Sequence, residues 1–507
     1  MKRSKFSLSH YKLLTCKMGQ LVPVTWYEAL PGDTIQQATS ALIRCAPLVT
    51  PVMHPVSVRF HHWFVPNRII WTNWENFITG GANGLDTTAH PALSISNVTV
   101  SGLMDHLGWP TSGLSGAVLA NALPARAYAL IFNEFYRDQD LQTPVALSLG
   151  DGTDSTTSVS IQNINWEKDY LTSARPWEQK GPAVSVPVGG LAPITGLGFQ
   201  DGTATAAQAN VRETSGTTVS YTMGTTGVIA KTSGAASPTG ASNYAQIFAN
   251  LAGATGVDIN VVRHAFAMQR WQEARARYGS RYVEYLRYLG VHSSDARLQR
   301  PEYLGGGKNT IQFSEVLQTA PTTAGTAGGL GGIGQFGGHG ITAMRSNRYR
   351  RFFEEHGIVM TLMSVRPKTM YSQRMGRAWW RGQTINGMVG TKEDYWQREL
   401  QHIGQQQIAG YEADASVGNV VFGYQDRYDE YRRFESSVAG QFRNSTLDSW
   451  HLSREFGSAP ALNSTFTSCV PSTRIFADTV DDNLYVMVNH SIQARRLVSK
   501  EGTSMTF

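Results

Sequence analysis

The chain has 507 residues, of which 41% are hydrophobic and only 16% are charged. Typical soluble domains carry roughly 25% charged residues, so this composition suits a loop-rich β protein, and it also suits a chain whose surface neighbouring subunits largely cover. The net charge of +6 lies in the second half, where 29 basic residues face 23 acidic ones. Three cysteines, Cys16, Cys45 and Cys469, make neither a disulfide framework nor a metal-binding pair.

The sequence carries no signal for export or for a membrane. The basic residues at the N-terminus are not followed by an apolar segment, so they do not form a secretory signal. No apolar run approaches the length of a membrane span. We therefore expect no membrane insertion and assembly in the cytoplasm.

Residues 1–27 are expected to form a basic N-terminal arm, because they hold five cations and no acidic side chain. The cations are Lys2, Arg3, Lys5, Lys12 and Lys17. An ordinary solvated tail is the alternative. A strand-like run follows at 20–27 and ends in the turn LPGD at 30–33.

Alternating apolar and polar residues predict a half-buried strand within 48–71, with prolines typical of a strand edge or terminus. Apolar spacing predicts helices over 124–136 and 258–289. Asp258 is the expected N-cap of the second helix, and Gly279 is expected to break it. Arginines line its other face, which indicates a solvated face or a phosphate contact. Further strands are expected at 357–365 and 482–488.

Residues 187–257 differ in composition from the rest of the chain. Of these 71 residues, 42 are Gly, Ala, Ser or Thr and four are charged. Short β-like pieces separated by glycine predict an inserted loop subdomain, since long surface insertions cost little closure entropy. Loops often carry recognition, so we expect an outward projection used for recognition; a spacer or an intersubunit clamp is the alternative.

No complete catalytic or metal-binding constellation is readable. A GxGxxG pattern at 332–337 lacks the flanking strand and helix of a dinucleotide site. The GGGK run at 305–308 resembles a phosphate loop, but Asn309 stands where Ser or Thr must hold magnesium. His61 and His62 would point to opposite faces of a strand and could not share a metal. We therefore expect no cofactor, no metal and no enzymatic activity.

Five short stretches carry a family resemblance. They are YEALPGDT at 27–34, FHHWFVPNR at 60–68, DYLTSARPWEQKG at 169–181, DARLQRPEYLGG at 295–306 and GYQDRYDEY at 423–431. Together, and in this order, they resemble the major capsid proteins of the Microviridae, in particular those of the gokushoviruses. The resemblance spans most of the chain.

The resemblance implies a mainly β fold, an eight-stranded antiparallel jelly-roll β-sandwich with long loop insertions and a few short helices. Many short strands between turns favour the same class. We divide the chain into the basic arm at 1–27, a first part of the jelly roll at 28–186, the inserted loop subdomain at 187–257, and a second part at 258–507. In gokushoviruses the corresponding insertion builds a threefold protrusion.

The implied function is structural: a major capsid protein of a small icosahedral single-stranded-DNA bacteriophage. The resemblance implies sixty copies in a T=1 shell around a circular genome, within the virion. The implied partners are further copies of the chain, single-stranded genomic DNA, scaffolding and small basic DNA-packaging proteins, and a host cell-surface receptor.

Two stretches combine cations with aromatic rings, as binding of single-stranded DNA without sequence preference requires. The candidate DNA contacts are Lys2, Arg3, Lys5, Lys12, Lys17, Arg374, Arg377 and Arg381. Trp379 and Trp380, within the second stretch, are expected in a core or an interface, because large aromatics usually bury.

Two other classes of protein remain open from the residues alone. A secreted β-sandwich lectin would usually carry a signal peptide and disulfides. An enzyme would need an unrecognised site, such as two carboxylates at a cleft. Particle size separates these classes, because only a capsid protein sediments as a megadalton particle.

Overall fold

A computed structural model describes residues 3–82, 85–184, 259–278, 281–317, 336–380 and 421–498, and the backbone of short strands between them. The chain divides into two compact units. The first comprises Met1–Glu178 and Arg275–Phe507, and the second comprises Gln179–Ala274. The domain boundaries proposed from the sequence stay predictions.

Ten segments of the first unit form one curled antiparallel sheet. They are β1 (Ser4–Ser7), β2 (His10–Cys16), β3 (Leu21–Ala29), β4 (Thr34–Cys45), β5 (Val56–Pro66), β6 (Glu302–Leu317), β7 (Phe336–Arg345), β8 (Tyr349–Phe352), β9 (Gly357–Pro367) and β10 (Leu484–Arg496). The predicted strands at 20–27, 357–365 and 482–488 are confirmed as parts of β3, β9 and β10.

Two of the strands are interrupted. β1 and β2 both pair with β10, with Ser4 opposite Arg496 and Cys16 opposite Leu484. β7 and β8 both pair with β4, with Arg345 opposite Ser40. The ten segments therefore make eight strands, which run I to VIII along the chain.

The eight strands lie in the order I-VIII-III-VI-V-IV-VII-II, and every neighbouring pair is antiparallel. The first half of the strands therefore pairs with the second half: I with VIII, II with VII, III with VI and IV with V. This is a long hairpin rolled into two packed sheets, the topology of a jelly roll. The predicted mainly β, eight-stranded jelly roll is confirmed.

The two sheets share β6, whose first part pairs with β5 and whose last part pairs with β7. Their inner faces meet in an apolar core that includes Ile43, Phe60, Met363 and Val486. The free edges also approach each other, because His10 Nε2 of β2 lies 3.1 Å from the Thr25 hydroxyl of β3. The sandwich is thus nearly closed, which leaves little unpaired sheet edge.

Strand β5 corresponds to the half-buried strand that alternating residues predicted within 48–71. It is hydrogen-bonded to β6 on one side and to β9 on the other, so it is not an edge strand. Pro55 precedes it and Pro66 is its last residue, so the prolines mark its termini. Its second half is buried on both faces, because a layer of helices covers that side of the sheet.

Among the described residues, the helices lie between strands, and most of them are short. They are α1 (Asn67–Ile70), α2 (Trp74–Thr79), α3 (Leu103–His106), α4 (Leu123–Ile131), α5 (Ile259–Tyr278), α6 (Tyr282–Tyr288) and α7 (Ser464–Thr467). A π-helix, Phe132–Tyr136, continues α4, and 3₁₀ turns cover Arg377–Trp380, Asp429–Tyr431, Gly440–Arg443 and Ser445–Trp450. Both predicted helices are confirmed; Asp258 and Gly279 lie outside the described residues.

Helix α4 covers the outer side of β9. Ile358, Met360 and Leu362 of β9 pack in one cluster with Leu123 and Tyr128 of α4. Alternate residues of β9 face the sandwich core instead, so the strand is buried on both sides. This explains its uninterrupted apolar sequence, because each face of the strand has to meet an apolar layer.

The smaller strands form separate pairs. Ala92–Ile95 pairs with Val118–Asn121, Gln405–Ala409 with Val421–Asp426, and Thr384–Ile385 with Met388–Val389. In the second unit, Gly198–Phe199, Asn210–Arg212, Ser220–Met223 and Ile229–Lys231 form one small sheet, and Ile194–Thr195 pairs with Phe248–Ala249. Apart from these strands, the predicted insertion at 187–257 lies outside the described residues. Within the described helices, none is both long and apolar enough to cross a bilayer.

Candidate nucleic-acid interface

The predicted N-terminal arm is built into the sandwich. Residues that we expected to extend freely form β1 and β2, which pair with β10 over Leu484–His490 and Gln493–Arg496. The reason is backbone hydrogen bonding: a chain that completes a sheet edge satisfies donors and acceptors that a free arm leaves to water. The charge composition of residues 1–27 contains no information about the pairing of β1 and β2 with β10.

The cations of this segment have different surroundings. Lys5 is exposed on β1, whereas Arg3 lies over the Phe352 ring, 5.0 Å from its centroid. Lys12 Nζ donates to the carbonyl oxygens of Pro23 and His106, and burial lowers its pKa to about 8 despite the nearby Asp105 carboxylate.

Lys17 Nζ donates to the Val480 carbonyl oxygen at 2.9 Å, and its side chain remains exposed. Lys2 lies outside the described residues. Arg3, Lys5 and Lys17 are therefore the exposed cations among the described residues of this segment.

The second predicted stretch is partly buried. Arg377 is 8% exposed, with its Nε 3.9 Å from a Glu430 carboxylate oxygen. Arg374 is half-buried, with its guanidinium 5.3 Å from the Tyr170 ring centroid. Trp379 is 77% exposed, so it does not belong to the core of this chain. Arg381 and the Trp380 side chain lie outside the described residues.

The histidines of β5 point to opposite faces of the strand, as the pleat requires. His61 Nδ1 lies 2.6 Å from the Tyr136 hydroxyl on the helical side. His62 lies in the sandwich core, with ring nitrogens 2.8 Å and 3.0 Å from the hydroxyls of Thr361 and Ser346. Burial lowers the pKa of each to about 4. The neutral rings of His61 and His62 therefore have a structural role, as hydrogen-bonding side chains within the fold.

Two other sites considered for ligands have structural roles. The GGGK run at 305–308 is part of β6 and pairs with β5, so it makes no phosphate-binding loop. Among the described residues, Asp448, His451 and Glu455 could in principle surround a cation. However, the Arg474 guanidinium lies 3.1 Å from His451 Nδ1 and 3.2 Å from Glu455, and it already supplies the positive charge there.

The family-like stretches meet each other in space. The stretch at 60–68 pairs with the stretch at 295–306, because β5 and β6 are neighbours. The stretch at 169–181 pairs with that at 423–431 through two hydrogen bonds between the backbones of Arg175 and Tyr424. These four stretches therefore contribute backbone contacts to the scaffold.

Comparison with known proteins identifies the scaffold. Residues 1–503 match the family described as "Capsid protein (F protein)". The chain belongs to this family of phage capsid proteins. It is 36% identical to the capsid protein VP1 of Bdellovibrio phage phiMH2K, over 92% of this chain and 87% of the relative.

Two further relatives of this capsid protein are similar over the same extent. Identity is 34% to capsid protein VP1 of Chlamydia phage 1, over 92% of this chain and 89% of the relative. The chain is 30% identical to capsid protein VP1 of Spiroplasma virus 4, over 91% of this chain and 87% of the relative. The resemblance to Microviridae major capsid proteins is confirmed. The capsid protein is a structural component of a virion, and not an enzyme.

One basic surface of this capsid protein was not predicted. Strands β1, β2, β10, β4, β7 and β8 form one sheet of the sandwich, and alternate side chains point away from the core. We call this the outward face. Its exposed cations are Lys5, Arg44, Arg345, Arg350 and Arg495. The sequence does contain a signal for this basic face, because the six strands hold eight Lys or Arg residues and no Asp or Glu.

Proposed function

We propose that sixty copies of this capsid protein assemble into a T=1 icosahedral shell around a circular single-stranded DNA genome, in the cytoplasm of a host bacterium. The observation that carries the proposal is the match of residues 1–503 to phage capsid proteins. The jelly roll supports it, because this double-sheet fold keeps exposed sheet edges short and is widely used in viral capsids.

Exposed aromatic side chains are consistent with extensive subunit contacts. Phe434 is 99% exposed, Trp379 77% and Phe266 65%. Large exposed apolar groups on an isolated chain usually mark surfaces that a partner covers. Closed icosahedral symmetry gives each subunit several different neighbours, so several such surfaces are expected. A scaffolding protein, as the family resemblance implies, would hold them in register during assembly.

Electron microscopy of native particles tests the assembly. We expect hollow isometric shells whose mass corresponds to about sixty chains, as symmetric closure requires. Analytical ultracentrifugation of the same preparation should give one megadalton species. Tails, filaments or small oligomers alone would contradict the proposal.

We also propose that residues 187–257 project outward and contact the host receptor. Their uncharged Gly/Thr-rich composition supports this, as does their position between two family-like stretches. Replacing them with a short Gly-Ser linker should leave particles intact and reduce adsorption to host cells. Loss of assembly would indicate a clamp between subunits, and unchanged adsorption would indicate a spacer.

For genome contact, we propose that the candidates include the exposed Lys5 and Lys17, together with Lys2, Arg3, Lys12, Arg374, Arg377 and Arg381. Changing Lys2, Arg3, Lys5, Lys12 and Lys17 together to Gln should reduce packaged DNA, because lost phosphate contacts weaken binding in a salt-dependent way. Normal packaging by this variant would assign the role to the small basic packaging protein instead.

A further inference from the structure

The outward face has the composition of a surface for single-stranded nucleic acid. We infer that it binds the genome directly, with its cations on phosphates and its tyrosine rings against bases. The inference rests on the proposed function and deepens it, because it assigns genome contact to a folded sheet in place of a mobile arm.

The register places the cations in rows across the strands. Arg44 of β4 lies opposite Tyr485 of β10, and Arg345 of β7 lies opposite Ser40 of β4. Lys5 of β1 lies opposite Arg495 of β10. The five cations are therefore spread along the whole sheet, from Arg44 near one end of β4 to Arg495, opposite Thr34, at the other end.

Within the part of the chain that the structure describes, ion pairs do not neutralise these cations. Of the charged residues in the six strands, Arg351 pairs with Glu302 and Arg496 with Asp33. Among the described parts of the chain, none of the five exposed cations of the outward face forms an ion pair. Neighbouring cations left unpaired repel one another, so they favour a partner that brings negative charge.

Apolar and aromatic side chains lie between the cations. Tyr11 is 70% exposed, Leu13 78%, Tyr485 47% and Met487 41%. A cavity of about 630 Å³ opens among Leu13, Leu42, Tyr485 and Met487, with Arg44 at its wall. It is large enough for a nucleobase beside a phenol ring. Stacking on such rings tolerates any base, which suits a genome of mixed sequence.

Two carboxylates border this region and are already engaged. Asp105, at the cavity wall, accepts a hydrogen bond from the Ser101 N–H at 2.8 Å. Asp482 accepts one from the Thr15 hydroxyl at 2.6 Å. Both lie at one end of the sheet, so the remaining rows stay positive. A protein partner would need a strongly acidic surface here, whereas DNA brings one negative charge per nucleotide.

The test uses the full chain, fluorescein-labelled oligothymidylate of about twenty nucleotides, and fluorescence anisotropy over a range of NaCl concentrations. The sheet variant changes Lys5, Arg44, Arg345, Arg350 and Arg495 to Gln. The control changes four exposed cations outside the outward face to Gln: Arg297, Lys308, Lys368 and Arg432. If all five contacts are lost, the slope of log affinity against log salt falls by about 3.5 in the sheet variant. We expect little change in the control.

Tyrosine variants test the stacking part. Tyr485→Ser is expected to weaken oligonucleotide binding about tenfold, and Tyr485→Phe, which keeps the ring, is expected to leave it nearly unchanged. Thermal melts identify any variant that fails to fold. For that case the single variants Arg44→Gln and Arg495→Gln provide the same test, each with a slope reduction of about 0.7.

Several outcomes would overturn the inference. Unchanged binding by the sheet variant would do so, and a loss seen only in the control would place the DNA contact elsewhere. Unchanged binding with failed assembly would make the outward face a subunit interface. If the wild-type chain does not bind while native particles contain DNA, only this inference fails. Native particles without DNA would refute the proposed function itself.

Discussion

Lowering the pH from 7 to 5 is expected to destabilise the folded chain through His62. This side chain is fully buried between the two sheets, and both ring nitrogens lie within 3.0 Å of hydroxyl oxygens. Burial lowers its pKa from 6.5 to about 4, and the nearby His61 ring adds to the effect. The folded state therefore holds a neutral ring, and unfolding makes protonation easier.

Proton linkage gives the sign and the size of the change in unfolding free energy. Because the folded pKa lies below the unfolded one, the stabilisation is complete above pH 6.5 and is lost as the pH falls toward 4. With pKa values of 6.5 and about 4, one such ring costs about 2 kcal/mol of unfolding free energy between pH 7 and pH 5. A loss of this size is a large fraction of the stability of a typical domain.

Urea unfolding of the full chain at pH 7 and pH 5 measures this effect. His62→Gln keeps polar atoms in the core but cannot be protonated in this range, so the variant should lose about 2 kcal/mol less than the wild type. His292→Gln, at an exposed position, is the matched control and should keep the wild-type pH dependence. Equal losses in the wild type and in His62→Gln would refute the reasoning.

Three further predictions concern stability and reactivity. Arg126→Met should destabilise the chain by about 3–5 kcal/mol in urea unfolding, because it leaves the fully buried Asp154 carboxylate without its partner at 2.8 Å; a change below about 1 kcal/mol would contradict this. Gly357→Ala should cost about 1–3 kcal/mol or more, since an added Cβ would lie 2.4 Å from the Phe64 ring, and an unchanged melting temperature would show that the strands can separate there. The three buried cysteines, whose pKa values burial raises to about 12 or higher, should resist iodoacetamide at pH 8 in the native state and react only after unfolding, as a mass shift would show.

Elements with a local sequence signal were predictable. The apolar run at 357–365 forms β9, which is buried on both faces. A strand in this position needs apolar residues on both faces, so its sequence shows an uninterrupted apolar run. Apolar spacing over 258–289 was enough to predict helix there, where the structure has α5 and α6. Composition and five short stretches were enough to identify the family.

Contacts between distant residues had no local signal. Lys12 looked like a free cation of an arm, but it lies beside Pro23 and His106 because β2 completes the sheet. The outward face needed the strand register, since Lys5 and Arg495 are neighbours only through the pairing of β1 with β10. Which side chains share a face follows from pairing across the whole chain, and periodicity along one segment cannot supply it.

The pairing of the first strand with the last has a consequence during synthesis. Among the described residues, β1 and β2 pair only with β10, so their hydrogen-bonding partner is synthesised long after them, with Cys16 paired to Leu484 and Ser4 to Arg496. At typical bacterial elongation rates, the N-terminal segment waits roughly 25–95 s for it. During that time the apolar residues that β10 will cover remain exposed in the nascent chain. Folding of this sheet therefore waits for synthesis of β10, and until then the unpaired strands of neighbouring nascent subunits can pair with one another.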